Sequence, residues 1–157
     1  MPSFSKRSLG RLYTCHPDLV VVMLAAIKAQ DCTVLEGVRS DERQQELYHQ
    51  GKSKLDGVTK KSKHQVKSDG WSHAVDVAPW PTDWNTSDEQ VRKVWLDFAR
   101  LVLSIGDDLG IKLRWGGDWN SNWNYRGLGP GEELEDPTDD PAQRFNDWPH
   151  FELSNVS

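Results

Sequence analysis

The chain is short of cysteine, of long apolar runs and of positive charge, and each shortage removes a class of protein. Its two cysteines, Cys15 and Cys32, are too few for a disulfide scaffold and form no close metal-type pair, so both are expected to be reduced and structural. No stretch, the N-terminal segment included, has the apolar run that a signal peptide or a membrane span requires. The expectation is a chain that stays in the cytoplasm unless something else releases it. A formal charge of -5 argues against general binding to nucleic-acid phosphates. Lys52, Lys54, Lys60, Lys61, Lys63 and Lys67 form a local basic cluster. It has neither helical spacing nor interleaved aromatics and reads as a solvated loop. At 157 residues the chain has the length of one ordinary domain, and a single domain over 1–157 is expected.

What is present alternates between helix and strand signals. Pro17 opens an apolar helix reaching Gln30, since proline costs little in a first turn. Cys32 to Val38 reads as a strand. Ser40 caps a helix that runs to Gln50, with acidic residues in its first turn and Gly51 as its stop. Residues 51–70 form a loop, and His73 to Pro79 a strand. Ser87-Asp88-Glu89-Gln90 reads as a capping box for a long helix ending at Gly110. Ile111 to Trp115 and His150 to Leu153 are the remaining strands, separated by a loop rich in Gly, Asn, Asp and Trp. The expected fold is α+β, with helices packed on a small, mainly antiparallel sheet.

Five histidines leave few ways to build a metal site. His16, beside Pro17, and His49, in a last helical turn, have no carboxylate or second histidine at ligand spacing and read as structural. His150 and Asp76, with one histidine from His64 or His73, could hold a zinc ion through three protein atoms and leave a fourth position for water. His73 and Asp76 are three apart. On one regular strand they would face opposite sides, whereas His64 lies in a loop able to fold over Asp76, so alternation favours His64. A bulge could re-aim His73. Asp147, three before His150 and across Pro149, is either a turn residue capping its own backbone or a base for metal-bound water.

Thr33 to Arg39, Ser62-Lys63-His64, Ala74 to Pro79, Gly110 to Trp119 and Asp147 to Leu153, in that order over nearly the whole chain, resemble the phage endolysin branch of the VanY-type zinc peptidases. That family cleaves between L-alanine and D-glutamate in the peptidoglycan stem peptide. The resemblance implies a hedgehog/D-Ala-D-Ala peptidase-like fold and one catalytic zinc ion held by His64, Asp76 and His150. It implies Asp147 as catalytic base, Arg39 as a cation that binds substrate and stabilises developing negative charge, and Gln44 and Ser62 as substrate contacts. It also implies a monomer without a separate cell-wall-binding domain. Such an enzyme would accumulate in the host cytoplasm and reach the wall when a holin opens the membrane. The chain departs from the family pattern S-x-H-x-x-G-x-A-x-D. Twelve positions separate His64 from Asp76, Gln65 to Trp71 contains an apparent five-residue insertion with Gly70 as its turn, and Ser72 occupies the usual glycine position.

Other readings compete with this one. Relatives include D-alanyl-D-alanine carboxypeptidases. A non-catalytic zinc module that binds peptidoglycan would keep the three ligands but have no use for Asp147, and a muramidase built on Glu36 and Asp41 would explain neither histidine. Asp118, Asn120 and Asn122 begin like a calcium loop, but Trp123 stands where its turn glycine belongs and Gly129 where its last ligand belongs, which favours an Asn-rich turn. Most of the eight tryptophans read as core and loop anchors, with Trp115 and Trp148 the best candidates for pocket walls.

Overall fold

The computed structural model describes residues 1–126, 135–141 and 145–154. Its elements are α1 (Lys6–Leu12), α2 (Pro17–Ala29), β1 (Cys32–Glu36), α3 (Asp41–His49), β2 (Ala74–Pro79), α4 (Glu89–Asp108), β3 (Leu113–Trp115), a single 3-10 turn at Pro137–Asp139 and β4 (His150–Leu153). The four strands form one antiparallel sheet in the order β1-β2-β4-β3. The α+β expectation therefore holds.

Period-two alternation gives this sheet two unlike faces. Val34, Val75, Val77, Phe151, Leu153 and Trp115 are buried on one face. They share a core with Leu19, Val22, Met23, Ala26 and Ile27 of α2 and with Phe98, Ala99, Val102 and Leu103 of α4. The α4 residues recur at helical spacing, so one stripe of that helix meets the sheet; Phe98 packs edge-on against Phe151 with ring centroids 6.0 Å apart. The opposite face carries Asp76, His150, Glu152 and Arg114, because Asp76 pairs with His150 and Arg114 with Glu152. A register shift between Val34 and Glu36 sets Glu36 opposite Asp76 and adds it to that polar face.

Several boundaries differ from the sequence reading. The β1 strand ends at Glu36, not Val38, because Val38 N–H donates to Thr14 Oγ1 and Arg39 N–H to the His64 carbonyl rather than to a neighbouring strand. Asp88, not Ser87, caps α4, accepting the N–H groups of Gln90 and Val91. Helix α1 was not expected at all; Ser5 caps it, and Leu12 anchors it in the core. His73 precedes β2, which begins at Ala74. The Ser40 cap of α3 stands as read, with its side chain accepting from the Arg43 N–H.

Candidate metal centre

Three side chains from separate segments meet on the polar face. Asp76 of β2 and His150 of β4 are cross-strand partners, and His64 arrives from the loop between α3 and β2. His64 Nε2 lies 3.1 Å from Asp76 Oδ1, His150 Nδ1 lies 3.2 Å from the same oxygen, and the two nitrogens are 3.2 Å apart. His64 and His150 are buried.

The outer hydrogen bonds decide what those atoms offer. His64 Nδ1 is 2.8 Å from the Gly37 carbonyl, which can only accept, so the ring donates there and its Nε2 keeps a lone pair. His150 Nε2 is 2.9 Å from Glu152 Oε1, and donation to that carboxylate leaves a lone pair on Nδ1. Two imidazole lone pairs and a carboxylate oxygen thus converge on one point. That crowding is repulsive unless a cation occupies it, which is the donor set and orientation a divalent metal requires. Without metal a proton serves instead. Burial opposes a charged His150, yet its hydrogen bonds to Asp76 and Glu152 raise it to about 9. Burial likewise pushes Asp76 up, but the two histidines hold it well below the ordinary carboxylate range.

Asp147 stands beside the three. Its Oδ2 is 3.9 Å from His150 Nδ1, and burial together with the charge of Asp76 raises its pKa. The turn that aims it is tied to β3: Asp147 N–H donates to the Gly116 carbonyl and Gly116 N–H to the His150 carbonyl, both at 2.8 Å. A β-carbon on Gly116 would lie 2.2 Å from the Asp147 carbonyl oxygen, so only glycine allows this approach.

Arg39 lies in the same cleft with its guanidinium already engaged. It forms a fork with Glu36 at 2.7 and 2.9 Å and donates to Gln44 Oε1 at 2.8 Å. Gln44, expected to touch substrate, is fully buried; its amide nitrogen donates to Ser53 Oγ and to the Leu55 carbonyl. Its contacts are those of a group that positions Arg39. Ser62 lines the cleft, and its Oγ accepts the His64 N–H at 3.2 Å.

His73 is elsewhere. It is fully buried, with Nε2 2.7 Å from Asp69 and its ring edge-on to His16. The strand-face argument against His73 therefore fails in its premise, since the residue lies outside β2; what removes it is this clasp on the inserted segment. Gly70 turns that segment at φ +85. His16 caps α2, accepting the Asp18 N–H.

Two other expectations, the tryptophan walls and the solvated basic loop, need correction. Trp115 is buried at 1% exposure and packs on Trp123 and Trp148; the cleft is walled by Trp119 and Phe145 instead. The Trp119 ring lies 5.3 Å from that of His150. Lys52, Lys54, Lys61 and Lys63 of the basic cluster line the cleft rather than forming an unrelated loop surface. Asp118 accepts the N–H groups of Asn122 and Trp123, and Asn120 donates to Asp140, the pattern of an Asn-rich turn; Gly129 is outside the described residues. Glu36 and Asp41 are separately engaged, by Arg39 and by Gln65. Sequence reasoning missed Glu152, although its position two residues after His150 on a strand puts both on one face.

A histidine pair and an aspartate able to hold a metal, with a further carboxylate at their side on an antiparallel sheet, define the class of metal-assisted hydrolases. Residues 2–154 match the family described as phage L-alanyl-D-glutamate peptidase. The L-alanyl-D-glutamate peptidase of Escherichia phage T5 is 32% identical over 127 residues, covering 78% of this chain and 85% of that protein. The peptidoglycan L-alanyl-D-glutamate endopeptidase CwlK of Bacillus subtilis (strain 168) is 25% identical over 136 residues, 82% of this chain and 64% of the relative. The crystal structure of the Serratia marcescens L-Ala D-Glu endopeptidase ChiX superposes with a TM-score of 0.65 at 27% identity, covering 98% of this chain and 91% of that one. The chain belongs to the phage L-alanyl-D-glutamate peptidase family, and it is a peptidase.

Proposed function

We propose that this chain is a zinc-dependent endopeptidase that hydrolyses the L-alanyl-D-glutamate bond of the peptidoglycan stem peptide. The observation that carries the metal is the convergence of three lone pairs from His64 Nε2, Asp76 Oδ1 and His150 Nδ1. The bond is taken from the relatives, whose names specify it. Zinc bound by these three supplies a Lewis acid and a water of lowered pKa.

The chain's own residues supply the rest. Asp147, made more basic by burial, accepts the proton of the attacking water and returns it to the leaving amine nitrogen. Arg39 faces the negative charge that develops on the carbonyl oxygen, and its fork with Glu36 and bond to Gln44 hold it there beforehand, so little reorganisation is needed at the moment of reaction. Gly37 and Glu152 fix the tautomers of His64 and His150. Ser62 shapes the cleft beside His64.

Residues 1–157 are proposed to act as one catalytic domain and as a monomer, accumulating in the host cytoplasm until a holin admits them to the wall. Among the described residues no helix is long and apolar enough to cross a membrane. Mass spectrometry of digested peptidoglycan tests the reaction: a new N-terminal amine on D-glutamate is expected. A new reducing sugar, release of terminal D-alanine, or an unchanged polymer would overturn it. Metal analysis of the purified protein tests the ion, with one zinc per chain expected.

A further inference from the structure

The reaction as described leaves one charged surface unused. The cleft over the metal-binding face has a volume of about 790 Å³ and is lined by seven cationic side chains against four carboxylates, in a chain whose formal charge is -5. The carboxylates already have work. Glu36 holds Arg39, Glu152 holds His150 and Arg114, and Asp76 and Asp147 stand at the metal site.

Most of the cations are occupied as well. Arg43 pairs with Glu46 at 2.8 Å, Lys61 approaches Asp41 at 4.0 Å, and Lys63 donates to the Leu153 carbonyl at 3.1 Å. Lys52 and Lys54 have no carboxylate partner among the described residues, and both line the cleft. Their backbone is nonetheless held. Lys52 N–H donates to the Leu47 carbonyl at 2.9 Å, and Ser53, between the two lysines, accepts the Leu55 N–H at 3.1 Å and the Gln44 amide at 2.9 Å. Because Gln44 also accepts from Arg39, one buried amide fixes the lysine-bearing segment relative to the guanidinium beside the metal site.

We propose that Lys52 and Lys54 form an anion subsite for a free carboxylate on the D-glutamyl side of the scissile bond, so that the enzyme selects acidic stem peptides over their carboxamide counterparts. This rests on the peptidase reading above. D-Glutamate has two carboxyl groups and only one continues the peptide, so the residue that provides the leaving amine also carries a free carboxylate. Amidation replaces it with a neutral group of nearly the same shape. Two ammonium groups tell the pair apart by charge, and because both lysines are exposed the attraction is open to screening by salt. A polyanion would also have to cover the carboxylates of the cleft floor; a single carboxylate avoids them.

The test uses the zinc-loaded full chain and two synthetic stem peptides that differ only in a carboxylate or a carboxamide on D-glutamate. The wild type is expected to favour the acid by about tenfold in kcat/KM, the low end for a hydrogen bond to a charged group. That preference should shrink at high salt. It should fall towards parity in the K52Q/K54Q double variant and persist in K52R/K54R, which keeps the charges. Equal cleavage of both peptides by the wild type, or full preference in K52Q/K54Q, would overturn the subsite while leaving the peptidase reading intact. Cleavage of neither peptide by the wild type would overturn that reading and the subsite with it.

Discussion

Replacing Gly116 by alanine tests whether Asp147 acts from the place the turn gives it. The new methyl carbon would lie 2.2 Å from the Asp147 carbonyl oxygen and 2.8 Å from its Cβ. Ordinary contacts begin near 3.5 Å, so the Asp147 turn must retreat by about 1 Å. Misplacement on that scale costs about 10²-fold in rate, or about 2.7 kcal/mol of barrier. The overpacking itself should cost about 1–3 kcal/mol of stability, a fall in Tm of roughly 2–4 °C per kcal/mol for a chain of this size. Metal should remain, because His64 is held by Gly37 and His150 stays laddered to Asp76. The assay is turnover of purified peptidoglycan beside zinc content and a melting curve. Wild-type kcat with full zinc would refute the reasoning: either Asp147 is not the base, or its placement does not depend on this contact.

Asp147→Asn should lower kcat by about 10²–10⁴-fold while keeping zinc; unchanged turnover removes the residue from the reaction. At zinc about a thousandfold above its Kd, binding adds about 4 kcal/mol, so a chelator should lower the wild-type Tm by roughly 8–16 °C and leave Asp76→Ala unmoved. A chelator-insensitive wild type would count against the site. Glu152→Gln should weaken zinc affinity about 10–100-fold, read by competition with a chromogenic chelator, and wild-type affinity would show that the Glu152 charge does not matter. Burial pushes the thiols of Cys15 and Cys32 up to about 12, so at pH 8 the folded protein should resist a thiol reagent that labels it once unfolded. Fast labelling of the folded protein would contradict that burial.

The parts of this molecule legible in its sequence were those set by local chemistry. Ser40 followed by acidic residues announces the start of α3, and alternation in His150 to Leu153 announces β4, because caps and pleats depend on neighbours in the chain. Asp76 and His150 were read instead from ligand chemistry and the family pattern, since the pairing that sets them side by side joins strands distant in sequence. Helix α1 was not legible, since its one fully buried anchor, Leu12, gives no apolar period over a segment of 7 residues. The β1 register shift depends on which residue of β2 sits opposite, a relation between distant segments. The grip of Gly37 on His64 was equally hidden, because it is made by a backbone carbonyl and any residue type carries one. The distinction between Trp115, buried, and Trp119, on the cleft wall, is set by how the chain turns after β3, and both read alike as large aromatics in a loop-rich stretch.

The inserted segment between the first two ligands closes on itself. His73 N–H donates to the Lys63 carbonyl at 2.9 Å, Lys67 N–H to the Trp71 carbonyl at 3.0 Å, and Asp69 clasps His73. The chain therefore leaves the fold only after Gln65, which is fully buried and donates to Asp41 and the Gly57 carbonyl, and rejoins it at Ser72, whose N–H donates to the Thr14 carbonyl. Lengthening a closed excursion from about 7 to about 12 residues costs only about 0.5 kcal/mol of closure entropy. Sequence distance from His64 to Asp76 is then no measure of spatial distance, because the exposed turn between Gln65 and Ser72 is an appendage whose length the ligand geometry does not feel.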